Sequence, residues 1–362
     1  MALKGNKGEW SEIYALFRIL GEGKIHAGDA NLKRLKLFYP IIKIIRDESK
    51  LKRCEYSPDT VQNIVVIDEN GNEFTRIPMD VFIKESSYLL DKIKTAKQSS
   101  FPVPNTESFM GTVGCSKLKA PSKDKADIHI VIHDLRTNMT PLLGFSIKSQ
   151  LGSPSTLLNP GLPTNITYEV VGDSISECDI QEINNVKDHL PRMQKLLDKG
   201  YSLKYADIEH KTFKNNLLFL DMCMPRFIGD CLLNACLPKN DTSIKEVVRA
   251  VAKENPFSFE GKDTLSFYEH KMKVLLIDSA LGMTAAKEWK GRYDANGGYL
   301  VVKKDGDIVC YHFYNRNDVE DYLFNNTRID RPSRKRYDFG YLYRGEDGKV
   351  YMKLDLQIRF NK

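Results

Sequence analysis

The sequence predicts a mixed α/β (α+β) protein, on three observations. Residues 9–20, EWSEIYALFRIL, carry apolar side chains at Ile13, Leu16, Phe17 and Leu20, the spacing of a helix that buries one face. Residues 127–132 alternate Asp127, His129 and Val131 with Ile128, Ile130 and Ile132, the period-2 pattern of a strand. Asn70-Gly71 and Asp305-Gly306 each stand between β-rich runs and predict hairpins.

The elements follow in order. GEGK, 21–24, stops the first helix. Residues 30–46 read as a second helix. VQNIVVIDENGNEFTRIPM, 61–79, reads as a hairpin, and 79–96 as a helix. SSFPVPN, 99–105, is a linker candidate because Pro and Ser interrupt both periods. After the strand at 127–132, the turn material DLRTNMTP leads into LLGFSIKSQ, 142–150; so short a connection makes the two strands antiparallel neighbours. Residues 180–280 read as mainly helical, interrupted by Pro191, Pro225, Pro238 and Pro256. GYLVVKKDGDIVCYHFY, 298–314, is a hairpin, and NRNDVEDYLFN, 315–325, a short helix with Asn315 as its cap. YDFGYLYRGEDGKVYMKLDLQIRF, 337–360, is a last hairpin. Four regions result: 1–98 helical with a hairpin, 99–175 the core, 176–285 helical, and 286–362 β-rich.

Composition narrows the function classes. Of 362 residues, 41% are hydrophobic and 28% charged, as in ordinary globular proteins, and the net charge of +6 permits a polyanionic partner without demanding one. No apolar run approaches the roughly 18 residues of a membrane span, and MALKGNKGEW has no apolar signal segment. The seven cysteines lack paired ligand spacing; Cys223, Cys231 and Cys236 fall in one apolar stretch and read as buried thiols rather than a zinc site. A reduced, cytoplasmic protein is expected.

Three clusters could carry chemistry. In GFSIKSQ, alternation puts Phe145 and Ile147 on one face and Ser146, Lys148 and Gln150 on the other. The antiparallel neighbour brings Asp127 close to Lys148. A carboxylate that binds a divalent cation beside a lysine that orients water is a minimal kit for metal-assisted hydrolysis; a solvated salt bridge is the plainer alternative. In the first helix, Glu9 and Glu12 share an edge next to the apolar face, where either a metal or the helix N-terminus would account for them. The loop after Lys148 is rich in small hydrogen-bonding groups suited to phosphates: Ser149, Ser153, Thr156, Asn159, Thr164 and Asn165. At the C-terminus, RIDRPSRKRYDF holds Arg334 and Arg336. KLDLQIRF, read as one strand, places Gln357 and Arg359 on one face, side chains able to grip adenine and guanine edges; a solvated face is the alternative.

KGEWSEIYALFRILGEGK, GFSIKSQLGSPSTLLN with the following TN, GYLVVKKDGDIVCYHFYNRNDVEDYLFNNT, and FGYLYR with KLDLQIRF, in this order, resemble the HpaII-type type II restriction endonucleases over most of the chain. The resemblance implies a PD-(D/E)xK nuclease core, a mixed sheet flanked by helices, with a helical insertion and a β-rich C-terminal DNA-recognition region. It implies Mg²⁺-dependent hydrolysis of both strands of double-stranded DNA at a short palindromic site, CCGG or a close relative. A cognate DNA methyltransferase is the implied functional partner in a restriction-modification system, and a palindromic site suits a homodimer. Transferred to this sequence, Asp127 is the first metal-binding acid, Lys148 the lysine and Glu12 the glutamate of the N-terminal helix. Ala126 stands where the motif has proline, and Ser146 where it has a second acid. No carboxylate lies between Lys148 and Glu169, so the second metal acid is expected to be Glu12, with Glu169 as runner-up and Gln150 completing the site. The missing acid leaves a non-catalytic DNA-binding protein as the alternative. Gly8 followed by Glu12 leaves a junction-specific nuclease as another.

Overall fold

The structure, a computed structural model, describes residues 2–48, 53–119, 126–293, 296–331 and 339–361. Two compact units interleave along the chain: Met1–Ser155 with Tyr293–Tyr322, and Thr156–Arg292 with Leu323–Asn361. These units cut across the four consecutive regions expected from the sequence.

The first unit begins with β1 (Lys4–Gly5) and α1 (Lys7–Glu22). Asn6 caps α1: its side chain accepts from the Glu9 amide at 3.0 Å, and the Glu9 carboxylate accepts from the Asn6 amide at 2.9 Å. Gly23, in the left-handed region, ends the helix. There follow β2 (Lys24–Gly28), β3 (Arg34–Asp47), β4 (Arg53–Pro58), β5 (Asn63–Ile67), β6 (Glu73–Pro78), α2 (Met79–Thr95), β7 (Phe101–Pro102), α3 (Pro104–Thr112), β8 (Ile128–Ile132) and β9 (Leu142–Ser149).

Two expectations are corrected here. Residues 30–46 are not helical: they lie largely in β3, because Pro40 forbids a continuous helix and Ile41, Ile42, Ile44 and Ile45 are β-branched. Residues 99–105 are not a linker: Phe101 is buried and pairs with Gly5, and Trp10 Nε1 donates to its carbonyl at 2.9 Å. The hairpin β5–β6 and the helix α2 stand as expected.

The chain then builds most of the second unit: β10 (Thr156–Leu158), β11 (Asn165–Val171), α4 (Glu177–Asn184), α5 (His189–Asp198), β12 (Ser202–Ile208), α6 (Lys211–Leu220), α7 (Met224–Cys236), α8 (Ile244–Glu254) and α9 (Thr264–Leu281). β12 interrupts the expected helical region because it pairs with β11. Cys231 and Cys236 are buried on α7 and Cys223 is half-buried at its start. Returning to the first unit, the chain adds β13 (Gly298–Val302) and β14 (Ile308–His312), the expected hairpin, and then α10 (Arg316–Asn326). The side chain of Asn315, expected as a cap, accepts from Arg136 and donates to Tyr39. The second unit closes with β15 (Thr327–Ile329), β16 (Leu342–Arg344), β17 (Val350–Asp355) and β18 (Ile358–Phe360). KLDLQIRF is therefore two strands rather than one. β17 belongs to a four-stranded sheet ordered β12-β11-β17-β16, and β18 to a three-stranded sheet ordered β10-β18-β15.

In the first unit, nine of the described strands form a sheet ordered β2-β14-β13-β9-β8-β3-β4-β5-β6, and β1 pairs with β7 apart from it. The N-terminal half of β3 also pairs with β2, while its C-terminal half pairs with β8 and β4, so six strands close into a ring. The bend falls at Pro40, next to a register shift between Ile41 and Lys43. Phe145, Leu300, Val302 and Ile128 share one core with Trp10, Ile13, Leu16, Phe17 and Leu20 of α1 and Phe82 and Leu89 of α2. No helix among the described residues is long and apolar enough to cross a membrane.

A buried ion pair ties the segment ahead of β8 to the end of β3. Arg46 Nε lies 2.9 Å from Glu48 Oε1. Glu48 Oε2 accepts from the Ser116 amide at 2.7 Å, the Ser116 hydroxyl at 2.9 Å and the Lys117 amide at 3.2 Å. Removing one partner strands the other charge in the interior. Glu48→Ala is expected to lower unfolding stability by about 3–5 kcal/mol, read as the shift in urea midpoint.

Candidate active site

Period-2 geometry gives β9 two faces with separate jobs. Phe145, and Ile147 beside it, face the core under α1. Ser146 and Lys148 face the other way. β8 pairs Ile128 with Phe145, and the ladder runs one step further because the Asp127 amide donates to the Phe145 carbonyl at 2.8 Å. Asp127 thus lies level with Ser146. On the far side, β13 runs parallel to β9 with Tyr299 opposite Ser146 and Val301 opposite Lys148; β14 then sets Tyr311 opposite Tyr299. One row across the sheet reads Asp127, Ser146, Tyr299, Tyr311.

The row is bonded as well as aligned. Asp127 Oδ2 accepts from the Ser146 hydroxyl at 3.0 Å and from the Ile147 amide at 2.6 Å. Hydrogen bonds to an ionised carboxylate are the strong kind. Lys148 Nζ lies over the Tyr299 ring, 5.1 Å from its centroid, in cation–π range. Tyr299 is 2% exposed, and burial, with the charge of Asp127 in addition, pushes its phenol well above the usual range. Tyr311 stacks on Tyr322 at 4.0 Å. Gly298 fixes the entry to this row: its φ is +111°, and a Cβ there would fall 1.9 Å from the Tyr311 carbonyl oxygen.

The start of α1 meets the end of β9. Ser11 Oγ and Ser149 Oγ are 2.8 Å apart, and a Cβ on Gly152 would lie 3.3 Å from Lys7 Cβ. Glu12, half-buried, adjoins Ser11 and lies in the field of Lys119. Glu9 is accounted for by the capping box and by Lys119 at 2.8 Å. Of the two acids on this helix edge, Glu12 is the one the cap does not use. The Gln150 amide donates to Val302 at 2.9 Å, continuing the strand, and Ser153 is exposed.

The other expected site residues belong to the second unit. Glu169, on β11, forms an ion pair with Lys349 at 2.9 Å. Thr156 stands opposite Arg359 across β10 and β18, and Asn159 is exposed. Thr164 is fully buried: its hydroxyl donates to Asp355 at 2.5 Å and accepts from the Gly161 amide at 2.9 Å. Asn165 is buried opposite Asp355. These two hold the loop against β17 from inside.

Gln357 was expected on an open face, but it is 5% exposed, and its amide oxygen accepts from Arg359 Nε at 2.7 Å and Nη2 at 3.1 Å. The break between β17 and β18 turns it inward. Arg359 also lies 3.4 Å from Asp330, which Arg328 approaches to 3.2 Å. Arg334 and Arg336 lie outside the described residues. Tyr299, which the sequence reading did not single out, comes to this row through the pairing of β13 with β9.

Residues 6–360 match the sequence family described as HpaII restriction endonuclease. The chain is 40% identical over 357 residues to the type II restriction enzyme HpaII of Haemophilus parainfluenzae, covering 98% of each. No solved structure matches. With nearly its whole length matched, the chain belongs to the HpaII restriction endonuclease family and is a type II restriction enzyme.

Proposed function

We propose that the polar face of β8 and β9 is the phosphodiester-cleaving site, built on a PD-(D/E)xK core, and that it cuts double-stranded DNA at CCGG or a close relative. One observation carries this reading: Asp127, clamped by Ser146 and Ile147, shares a face and a strand pair with Lys148. A homodimer would match a palindromic site, and a cognate DNA methyltransferase would protect the host's own sites.

The donor set fits Mg²⁺. Both hydrogen bonds to Asp127 fall on Oδ2, so Oδ1 is the oxygen for a cation. Among the described residues no group of three or more His, Cys, Asp and Glu forms a protein cage. Mg²⁺ needs none: it binds through one or two carboxylates and keeps its remaining places for water and phosphate oxygens. Asp127 and Glu12 would hold it, and when bound it supplies charge neutralisation at the scissile phosphate and the departing oxygen. Glu12 is preferred to Glu169 in this role because it lies in the same compact unit as Asp127, next to Ser11, which meets Ser149 at the end of β9.

The chain's own part follows from the geometry. The Ser146 hydroxyl and the Ile147 amide fix the direction of the Asp127 carboxylate. The Lys148 ammonium, on the same face, donates hydrogen bonds to the attacking water and to the phosphate oxygen that gathers charge. In the second unit, Arg359 offers the bidentate donor that guanine O6 and N7 require, with Gln357 and Asp330 orienting it. Ser149, Ser153 and Asn159 offer phosphate contacts.

Asp127→Ala and Lys148→Ala are each expected to abolish cleavage of a mixed-sequence plasmid in Mg²⁺ while a gel shift still shows DNA binding; normal cutting by either variant rules the site out. Sequencing the fragment ends reads the recognition site directly. Uncut but shifted DNA from the unaltered protein would favour a binder instead. Glu12→Gln is expected to raise the Mg²⁺ concentration for half-maximal cleavage and Glu169→Gln to leave it unchanged, with the reverse order making Glu169 the ligand. Arg359→Ala is expected to cost roughly 1–3 kcal/mol of site-specific affinity and relax one position of the site, measured by competition between matched and mismatched duplexes.

A further inference from the structure

Ser146 occupies the place between Asp127 and Tyr299 in the cross-strand row, one step along the same face from Lys148. A carboxylate at that place would put negative charge beside the ammonium. A serine hydroxyl cannot, and this one is turned to Asp127. The next strand supplies negative potential of its own, because the face of an aromatic ring attracts a cation. Lys148 Nζ stands 5.1 Å from the centroid of the Tyr299 ring.

The ring is itself held in place. Gly298 admits the backbone turn just before it, Tyr311 lies opposite it on β14, and Tyr311 is stacked on Tyr322. A buried, immobile ring under a flexible four-carbon stem restricts where the ammonium can go.

We propose that Tyr299 is a positioning residue for cleavage: the face of its ring holds the Lys148 ammonium on the side of the sheet that Asp127 and Ser146 share. This rests on the reading of Lys148 as part of the cleaving site.

The test grades the ring without changing its shape. Tyr299→Phe and a series with mono-, di- and trifluorinated phenylalanine at 299 are compared by single-turnover cleavage of a mixed-sequence plasmid in Mg²⁺. Melting temperature and DNA affinity without metal are measured alongside. Tyr299→Phe is expected to stay within about threefold of the unaltered rate, since the ring face remains. Fluorination is expected to lower the rate stepwise, by about 3- to 30-fold across the series, with melting and affinity unmoved. A flat series overturns the proposal. So does a Tyr299→Phe loss as large as that of Tyr299→Leu, which would assign the effect to the hydroxyl. Lys148→Ala separates the two readings. If that variant cuts normally, the active-site reading fails; if it is inactive and the fluorinated series is flat, only the role of Tyr299 fails.

Discussion

The bond from the Ile147 amide to Asp127 joins the backbone of the sheet to the carboxylate at the centre of the proposed site. β8 begins at Ile128, with one further ladder bond before it from the Asp127 amide to Phe145. The next donor on that side of β9 is the Ile147 N–H, which a half-buried strand cannot leave unsatisfied. The Asp127 side chain takes it, at 2.6 Å. The carboxylate thus completes the sheet, and its position is set by the register of β8 on β9 rather than by a loop. Rigid elements hold reacting groups more closely than loops do.

The same register separates the core from the face of the proposed site. Phe145, Leu300 and Val302 belong to the core that α1 and α2 cover, while Ser146, Lys148 and Tyr299 lie on the reverse of the same strands. A change on one face leaves the packing of the other largely intact. Because α1 meets the end of β9 through Ser11 and Ser149, one helix both roofs the core and brings Glu12 to the end of the strand that bears the lysine.

Local rules made the hairpins legible, and β8–β9, β5–β6 and β13–β14 form where the turn residues and alternation put them. That Asp127 stands beside the strand of Lys148 was readable for that reason: a short hairpin fixes their neighbours. Tertiary pairing decided what local rules could not. β3 looked helical because its apolar residues suit either period, and only its partners on both sides settle it. β12 exists because β11 offers it an edge. Gln357 seemed to share an open face with Arg359 until the chain changed sheets between Asp355 and Ile358. Tyr299 escaped notice because parallel pairing of β13 with β9 joins distant stretches of sequence, which no short-range pattern reports.

The interleaved path of the chain has a bearing on biosynthesis. Asp127 and Lys148 are made early, the chain then departs at Ser155 to build another unit, and the strand that flanks the lysine arrives only with Gly298–Val302. A nascent or prematurely terminated chain holds both charged residues yet lacks the neighbour that completes their surroundings. An enzyme that cuts DNA is hazardous to the cell that makes it. Here the late return of the chain delays completion of the sheet around Asp127 and Lys148 until Gly298–Val302 has been made.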